Sequence, residues 1–332
     1  MHLSDLEELV KVAGGSRLKR DRLIHKIRKW GESVGGIEKI PQAEFVKLIT
    51  QGSEIDPEKT SFQLCAARLR RGDWSDWSGW QYRDDWAKST YADLPNRRWR
   101  LEKIKTLAVL GEQGIGDEIL FASCIPDVLK LGIDVTVECD PRLLGVFSRM
   151  GVKTVPRKKL NEVRDEDAFI PIGDLPRLFR KSLKDFPGLP FLSPLKEMVE
   201  KWGHLKGRTG ITWRGRKGHF EPKDLGIPGG VCVQYDPWEY ETEGLEIPNI
   251  DLRNDIEDIL GICANLSRIV TVPQTIVHLA GAIGTQVDVV CPPVEQARVI
   301  DQLNWRYGQK KMPWYKSVTV YPTLKDYRCA WS

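Results

Sequence analysis

From about Ile104 the chain alternates short apolar runs with helical periodicity, stops at a cluster of prolines, and then starts the same alternation again. Thr106 to Leu110 reads as a strand, Asp117 to Leu131 as a helix, Val135 to Cys139 as a strand and Arg142 to Met150 as a helix. Val152 to Val155 and Ala168 to Ile172 read as two further strands, and Pro187, Pro190 and Pro194 punctuate a linker. Beyond it Gly210 to Trp213 and Val231 to Gln234 read as strands, Ile256 to Leu266 as a helix and Ile269 to Val272 as a strand. Thr275 to Ile283 is then a helix and Val287 to Cys291 a strand. Strands separated by helices build βαβ units and parallel sheets. Two such halves predict an α/β fold of two Rossmann-like lobes facing a cleft. Ligands in open α/β sheets lie beyond the carboxyl ends of the strands, so that cleft is where chemistry is expected.

The first hundred residues have a different texture. Leu3 to Val12 and Leu18 to Trp30 read as short amphipathic helices, broken by Gly14-Gly15 and Gly35-Gly36, and Phe62 to Arg71 reads as another. A tryptophan-dense run from Asp73 to Tyr82 follows. The expected organisation is a helical accessory segment over 1–100, a first lobe over 101–195 and a second over 196–332. At 332 residues the chain is long enough for each part to bury a core.

With 41% hydrophobic and 29% charged residues the balance is that of a globular domain, and no apolar run nears the roughly 20 residues that cross a bilayer. The opening residues, Met1 to Glu8, carry acids where a secretory leader has a basic and then an apolar stretch, so a cytoplasmic protein is expected. Seven scattered cysteines without a C-x-x-C pair read as reduced core cysteines, and five dispersed histidines give no structural metal site. A net charge of +4 suits an anionic ligand without demanding nucleic acid.

Two loops carry the chemistry. Strand Thr106 to Leu110 runs into Gly111-Glu112-Gln113-Gly114-Ile115-Gly116-Asp117-Glu118 and then into a helix. Gly114, Gly116 and Gln113 form a strand-to-helix turn whose backbone N–H groups can approach a ligand, and the helix start favours negative charge. Asp117, at that start, is either an N-cap or a carboxylate presented to the cleft. The second loop runs from Ile269 through Pro273-Gln274-Thr275 to His278 and Gly284. A buried strand ends at a proline and a helix begins within two residues. The first turn of that helix offers free N–H groups and the Thr275 hydroxyl, a site for a diphosphate. His278 reads equally as a core histidine bonded to a carbonyl.

The run from Gly111 to Ser123 with Ile125-Pro126, and the run from Ile269 to Gly284 with His278-Leu279-Ala280-Gly281-Ala282, resemble the heptosyltransferase-like glycosyltransferases. That group is often fused behind tetratricopeptide repeats and is distantly similar to O-GlcNAc transferase. Gly210 to Gly215 with His219, and Val231 to Tyr235, match in order, and the likeness spans roughly Phe62 to Pro322, including Arg71 to Trp74, Trp80 and Trp314-Tyr315. Pro273 and Ile276 depart from the group's pattern, and Ile227 to Gly230 is shorter than in many relatives.

The resemblance implies a GT-B fold, with 101–195 the acceptor lobe, 196–332 the nucleotide-sugar donor lobe and the N-terminal segment a reduced remnant of a repeat array, although no period of about 34 residues can be traced. It implies an inverting transfer of a sugar from a nucleotide-diphosphate donor to an acceptor hydroxyl, with Asp117 as general base. Gln274, Thr275 and His278 would hold the diphosphate. Arg214 and His219 would supply positive charge in place of a metal, beside Arg216 and Lys217 of the same loop, which read more readily as solvated. Gln234 and Tyr235 would approach the nucleotide. No cofactor beyond the nucleotide sugar and no metal are implied. Asp165-Glu166-Asp167 has the D-x-D form of a metal signature but sits before a strand in the wrong pattern.

Two other readings stay open: a non-catalytic nucleotide- or glycan-binding module of the same fold, and a DNA-modifying transferase using the basic stretch from Arg17 to Trp30. The acceptor (glycan, protein or modified nucleic acid) and the oligomeric state are not written in the sequence.

Overall fold

The computed structural model describes residues 17–34, 91–94, 97–112, 114–215, 218–291 and 312–331. The expected helices Leu3 to Val12 and Phe62 to Arg71, the tryptophan-dense run, and Gln113, Arg216 and Lys217 lie outside the described residues. The chain forms two compact units, Met1–Ala92 with Val299–Gly308, and Asp93–Arg298 with Gln309–Ser332. Within the first, helix α1 spans Arg17–Val34, with Ile27 fully buried and Lys26 and Lys29 exposed.

The second unit holds both lobes. In the first lobe β1 (Arg97–Arg98) and β2 (Thr106–Leu110) are followed by helices α2 (Ile115–Ala122) and α3 (Ile125–Leu129). Then come β3 (Asp134–Cys139), α4 (Leu144–Ser148), β4 (Lys153–Pro156), β5 (Ala168–Pro171) and α5 (Leu175–Phe179). All strands pair in parallel, in the order β1-β5-β2-β3-β4. The central position of β2 and β5 explains their uninterrupted apolar sequences: Leu107 to Leu110 and Ala168 to Pro171 are buried along their length, as strands covered on both faces must be.

In the second lobe α6 (Lys196–Lys201) precedes β6 (Thr209–Ile211), a small antiparallel pair β7 (Arg214–Gly215) and β8 (Gly218–His219), and β9 (Val231–Cys232). Helix α7 (Ile256–Asn265), β10 (Arg268–Thr271), α8 (Thr275–Ile283), β11 (Gln286–Val290), β12 (Val318–Tyr321) and α9 (Leu324–Trp331) complete it. The main sheet is again parallel, in the order β12-β11-β10-β6-β9. The two Rossmann-like lobes read from the sequence are present.

Some boundaries differ from expectation. The helix expected over Asp117 to Leu131 is two helices: Pro126 has no N–H to give to the Ala122 carbonyl, so α2 ends and α3 restarts with Pro126 in its first turn. The helix expected from Arg142 is regular only over Leu144–Ser148. Before it the chain makes a tight turn at Pro141–Leu143, capped by the Asp140 carboxylate, which accepts from Arg142 N at 3.0 Å. The ladder of β9 stops at Cys232, although Val233 N still donates to Ile211 O at 3.1 Å.

The lobes are joined by more than the linker. Arg149 donates twice to Glu257, at 2.8 and 2.7 Å, and Arg142 Nη1 donates to Arg253 O at 3.1 Å. The linker itself is tied to α8, with Phe191 N and Leu192 N both donating to Ala282 O, at 2.9 and 3.1 Å. Among the described residues no helix is long and apolar enough to cross a membrane.

Candidate active site

The first glycine turn leaves the centre of its sheet between β2 and β5, where the strand order reverses: β3 and β4 lie to one side of β2, and β5 and β1 to the other. Buried carboxylates hold this turn in place. Glu138 accepts from Gly111 N at 3.0 Å and from Lys158 N, and Glu112 accepts from Gly173 N at 2.8 Å across the switch point. Glu118 is fully buried, accepts from Asp140 N at 2.9 Å and pairs with Arg157. Burial pushes the Glu138 carboxyl above its ordinary range, against the N–H donors of Lys158 and Gly111, which pull it down. A side chain at Gly111 would put its Cβ 2.4 Å from Glu118 Oε1 and 2.5 Å from Glu138 O, so only glycine fits there. The sequence reading gave these acids no role; for Glu118 and Glu138 the signal was an acid inside a largely apolar run.

The turn delivers Asp117 half-buried in the first turn of α2, with one carboxylate oxygen 3.4 Å from Gly114 N. That is longer than a normal N–H···O bond, so the cap is weak.

The second lobe repeats the topology. Strand order reverses between β6 and β10, with β9 on one flank and β11 and β12 on the other. Ligands in doubly wound sheets bind at such reversals. The carboxyl ends of the two strands are knitted together there: Thr212 Oγ1 and Thr271 Oγ1 lie 2.6 Å apart, and Gln274 Nε2 donates to Thr212 Oγ1. Gln274 is the N-cap residue of α8, and because its side chain turns back to the strands the helix start carries no side-chain cap. Val277 N donates to Gln274 O at 3.2 Å, which leaves the N–H groups of Thr275 and Ile276 without an intrahelical partner beside the Thr275 hydroxyl, at the positive end of the helix dipole.

The two loops meet. A Cβ on Gly116 would lie 3.1 Å from His278 Cδ2 and 3.5 Å from Thr275 Oγ1, so the turn of the first lobe rests on the first turns of α8 in the second. His278 is buried, and its Nδ1 lies 3.4 Å from the Tyr315 hydroxyl. Beside this contact opens a cleft of about 610 Å³, within the size range of small-molecule sites. Gly114, Tyr235, Gln274 and Thr275 line it, as do Arg142 and Arg253. Val233, Leu252, Ile256 and Ile259 give it an apolar wall. Asp140 holds Arg142 by two bonds of 2.9 Å, and those bonds from Arg142 keep the Asp140 carboxyl below its usual range. The Arg253 guanidinium lies 5.0 Å from the Tyr235 ring centroid. Neither arginine was singled out in the sequence, because each stands alone in a polar turn and becomes a cleft residue only through the lobe contact.

The other expected site residues lie elsewhere. Gln234 is fully buried and its Oε1 accepts from Trp213 N and Arg214 N, at 3.3 and 3.0 Å, which makes it a brace for the loop. Arg214 donates to Asp236 O at 2.7 Å and pairs with Glu241 at 3.3 Å, and His219 is exposed on β8. Neither is among the lining residues of the cleft, and Gly116, Asp117 and His278 stand next to lining residues without lining it themselves. Asp167 accepts from Lys105 N and Thr106 N at the amino end of β2, which holds its carboxyl below the usual range. The D-x-D sequence thus sits at the edge of the sheet opposite the cleft. Among the described residues no group of three or more His, Cys, Asp or Glu could hold a metal ion.

No protein-family model matches the chain. Protein FlbA of Caulobacter vibrioides is 28% identical over 279 residues, covering 69% of this chain and 46% of its own length, so the chain spans about half of that curated relative. Three solved structures are similar in fold. The glycosyl transferase family 9 protein of Veillonella parvula has a TM-score of 0.48 at 9% identity, over 68% of this chain and 88% of its own. ADP-heptose lps heptosyltransferase II of E. coli has 0.42 at 11%, over 66% and 90%. E. coli heptosyltransferase WaaC, with ADP-2-deoxy-2-fluoro heptose, has 0.41 at 11%, over 68% and 98%.

Proposed function

We propose that the chain is an inverting glycosyltransferase that moves a sugar from a nucleotide-diphosphate donor to an acceptor hydroxyl. The observation that carries the reading is the contact of Gly116, the chain neighbour of Asp117, with Thr275 and His278 at the edge of a cleft that Gly114 and Thr275 line. A carboxylate and an uncapped helix start, brought together from two lobes, supply the two things the transfer needs. Asp117 takes the proton of the acceptor hydroxyl as that oxygen attacks the anomeric carbon. The bond from that carbon to the phosphate oxygen breaks, and the electron pair leaves with the nucleoside diphosphate. Its growing charge falls on the N–H groups of α8 and the Thr275 hydroxyl, with Arg142 and Arg253 at the same cleft, so no divalent metal enters. The apolar wall of Leu252, Ile256 and Val233 takes the nucleoside.

The test has one assay: release of nucleoside diphosphate from whichever nucleotide sugar stabilises the chain most in a thermal-shift panel. Asp117→Asn should retain binding and lose turnover by about 10²- to 10⁴-fold. Excess EDTA should leave turnover in place. Near-normal turnover of the variant would leave Asp117 a cap only.

One observation favours a second reading, a binding module without catalysis: the Asp117 carboxylate already reaches Gly114 N. Binding of a nucleoside diphosphate without turnover of any sugar conjugate would favour this second reading.

A further inference from the structure

Large aromatic side chains in water need a reason, and the loop after β9 carries two together. Trp238 is 53% exposed and Tyr240 71% exposed, with ring centroids 5.6 Å apart and planes 28° from parallel. The pair is built, not merely left out of the core. Glu241, whose side chain is nearly buried, accepts from Trp238 N at 2.9 Å and pairs with Arg214 at 3.3 Å. The Arg214 guanidinium in turn lies 4.4 Å from the centre of the Trp238 ring, where the ring quadrupole attracts it, and donates to Asp236 O at 2.7 Å. Asp236 bends the chain into this arrangement with a φ of 46°, a left-handed conformation that aspartate tolerates better than most residues. These contacts hold the Trp238 ring at the surface, with Tyr240 stacked beside it.

Their place and their charge say what they are for. Tyr235 lines the cleft, and Trp238 follows three residues later, at most about 10 Å along the chain. The same loop carries Asp236, Glu239 and Glu243, all exposed, with Asp236 paired to Arg253. Carboxylates repel a phosphate backbone, so a nucleic acid, which stacks on aromatics only within a positive groove, is the wrong occupant. They accept well from hydroxyl groups. A flat aromatic face on a loop that also carries the exposed Glu239 and Glu243 fits an uncharged ring with an apolar face and a rim of hydroxyls.

From these contacts we infer that Trp238 and Tyr240 form a stacking platform for a neutral saccharide chain, and that this chain is the acceptor brought to the cleft. The inference rests on the glycosyltransferase reading for the word acceptor, but the binding itself does not.

Ligand-observed saturation-transfer NMR on the full chain tests it, with neutral tetrasaccharides of β-1,4-linked glucose, α-1,4-linked glucose and β-1,4-linked N-acetylglucosamine as probes. At least one should show transfer to its ring protons, reduced fivefold or more in Tyr240→Ala and in Trp238→Ala. Tyr240→Phe should keep the signal, because stacking uses the ring. The exposed Tyr240 ring is free to go without loss of the fold, which guards against a Trp238→Ala chain that does not fold. Calorimetric titration of the same proteins with nucleoside diphosphates reads the cleft separately. Unchanged nucleotide binding in Tyr240→Ala is expected, and absence of nucleotide binding in the parent chain sinks the glycosyltransferase reading alone. No transfer to any of the three probes, transfer that survives Tyr240→Ala, or binding of a single-stranded oligonucleotide that Tyr240→Ala abolishes overturns the platform.

Discussion

Glu138 keeps a carboxyl group under the glycine turn where water does not reach it, and pH should expose the cost. Its acidity is weakened by burial, so its pKa in the fold lies above that in the unfolded chain. A raised folded pKa contributes stability that is present below the ordinary glutamate value and lost as pH rises through the raised one. Glu138→Gln removes the titration. The parent should therefore lose stability relative to the variant as pH climbs from below the glutamate range toward neutrality. Urea midpoints of both proteins across that range measure it, and a constant difference would mean that the charge has no cost. Thr275 and His278 differ from Glu138 in lying on the helix side of the lobe contact, where they meet Gly116 directly.

Among the elements, α8 does most to set the site, since it touches the first lobe with one turn and the linker with another. Gly281 lets it sit on Tyr315: a Cβ there would come within 2.7 Å of the ring. Tyr315 also faces His278, so Gly281→Ala should displace a ring that the site leans on. The expected loss is about 1–3 kcal/mol of stability, the usual scale of overpacking, and calorimetric melting reads it. A melting temperature equal to the parent's would mean that Tyr315 yields freely. Why α8 was legible in sequence and α5, α6, β12 and α9 were not has a physical answer. Thr275 to Ile283 is bounded by Pro273 and by Gly284, which takes a φ of 88°, and the strand before it is buried from Ile269 to Thr271. The missed elements are short or, like α9, mostly exposed, and their register comes from neighbours distant in sequence. The two loops were readable for the same reason as α8, as glycine and proline mark them. Arg142 and Arg253 were not readable, because a cleft residue is defined by what stands opposite.

For the whole molecule, the cross-lobe pair Arg149–Glu257 should govern how firmly the halves stay together. Both side chains are partly exposed, and the geometry is bidentate. A double-mutant cycle with Arg149→Met and Glu257→Gln should give a coupling of about 0.2–1 kcal/mol, smaller in high salt. Zero coupling at low salt would leave the join to α2, α8 and the linker. That linker has a mechanical consequence. Phe191 and Leu192 hang from Ala282, in the last turn of α8, while the opposite end of the same helix waits uncapped in the cleft. A helix of nine residues is a stiff rod of about 14 Å. Whatever grips one tip steadies the other, so occupancy of the cleft should be felt by two amides that no ligand touches. Deuterium uptake at Phe191 and Leu192 should slow when a nucleoside diphosphate saturates the chain. Uptake indifferent to the ligand would mean that the rod and its tether move independently.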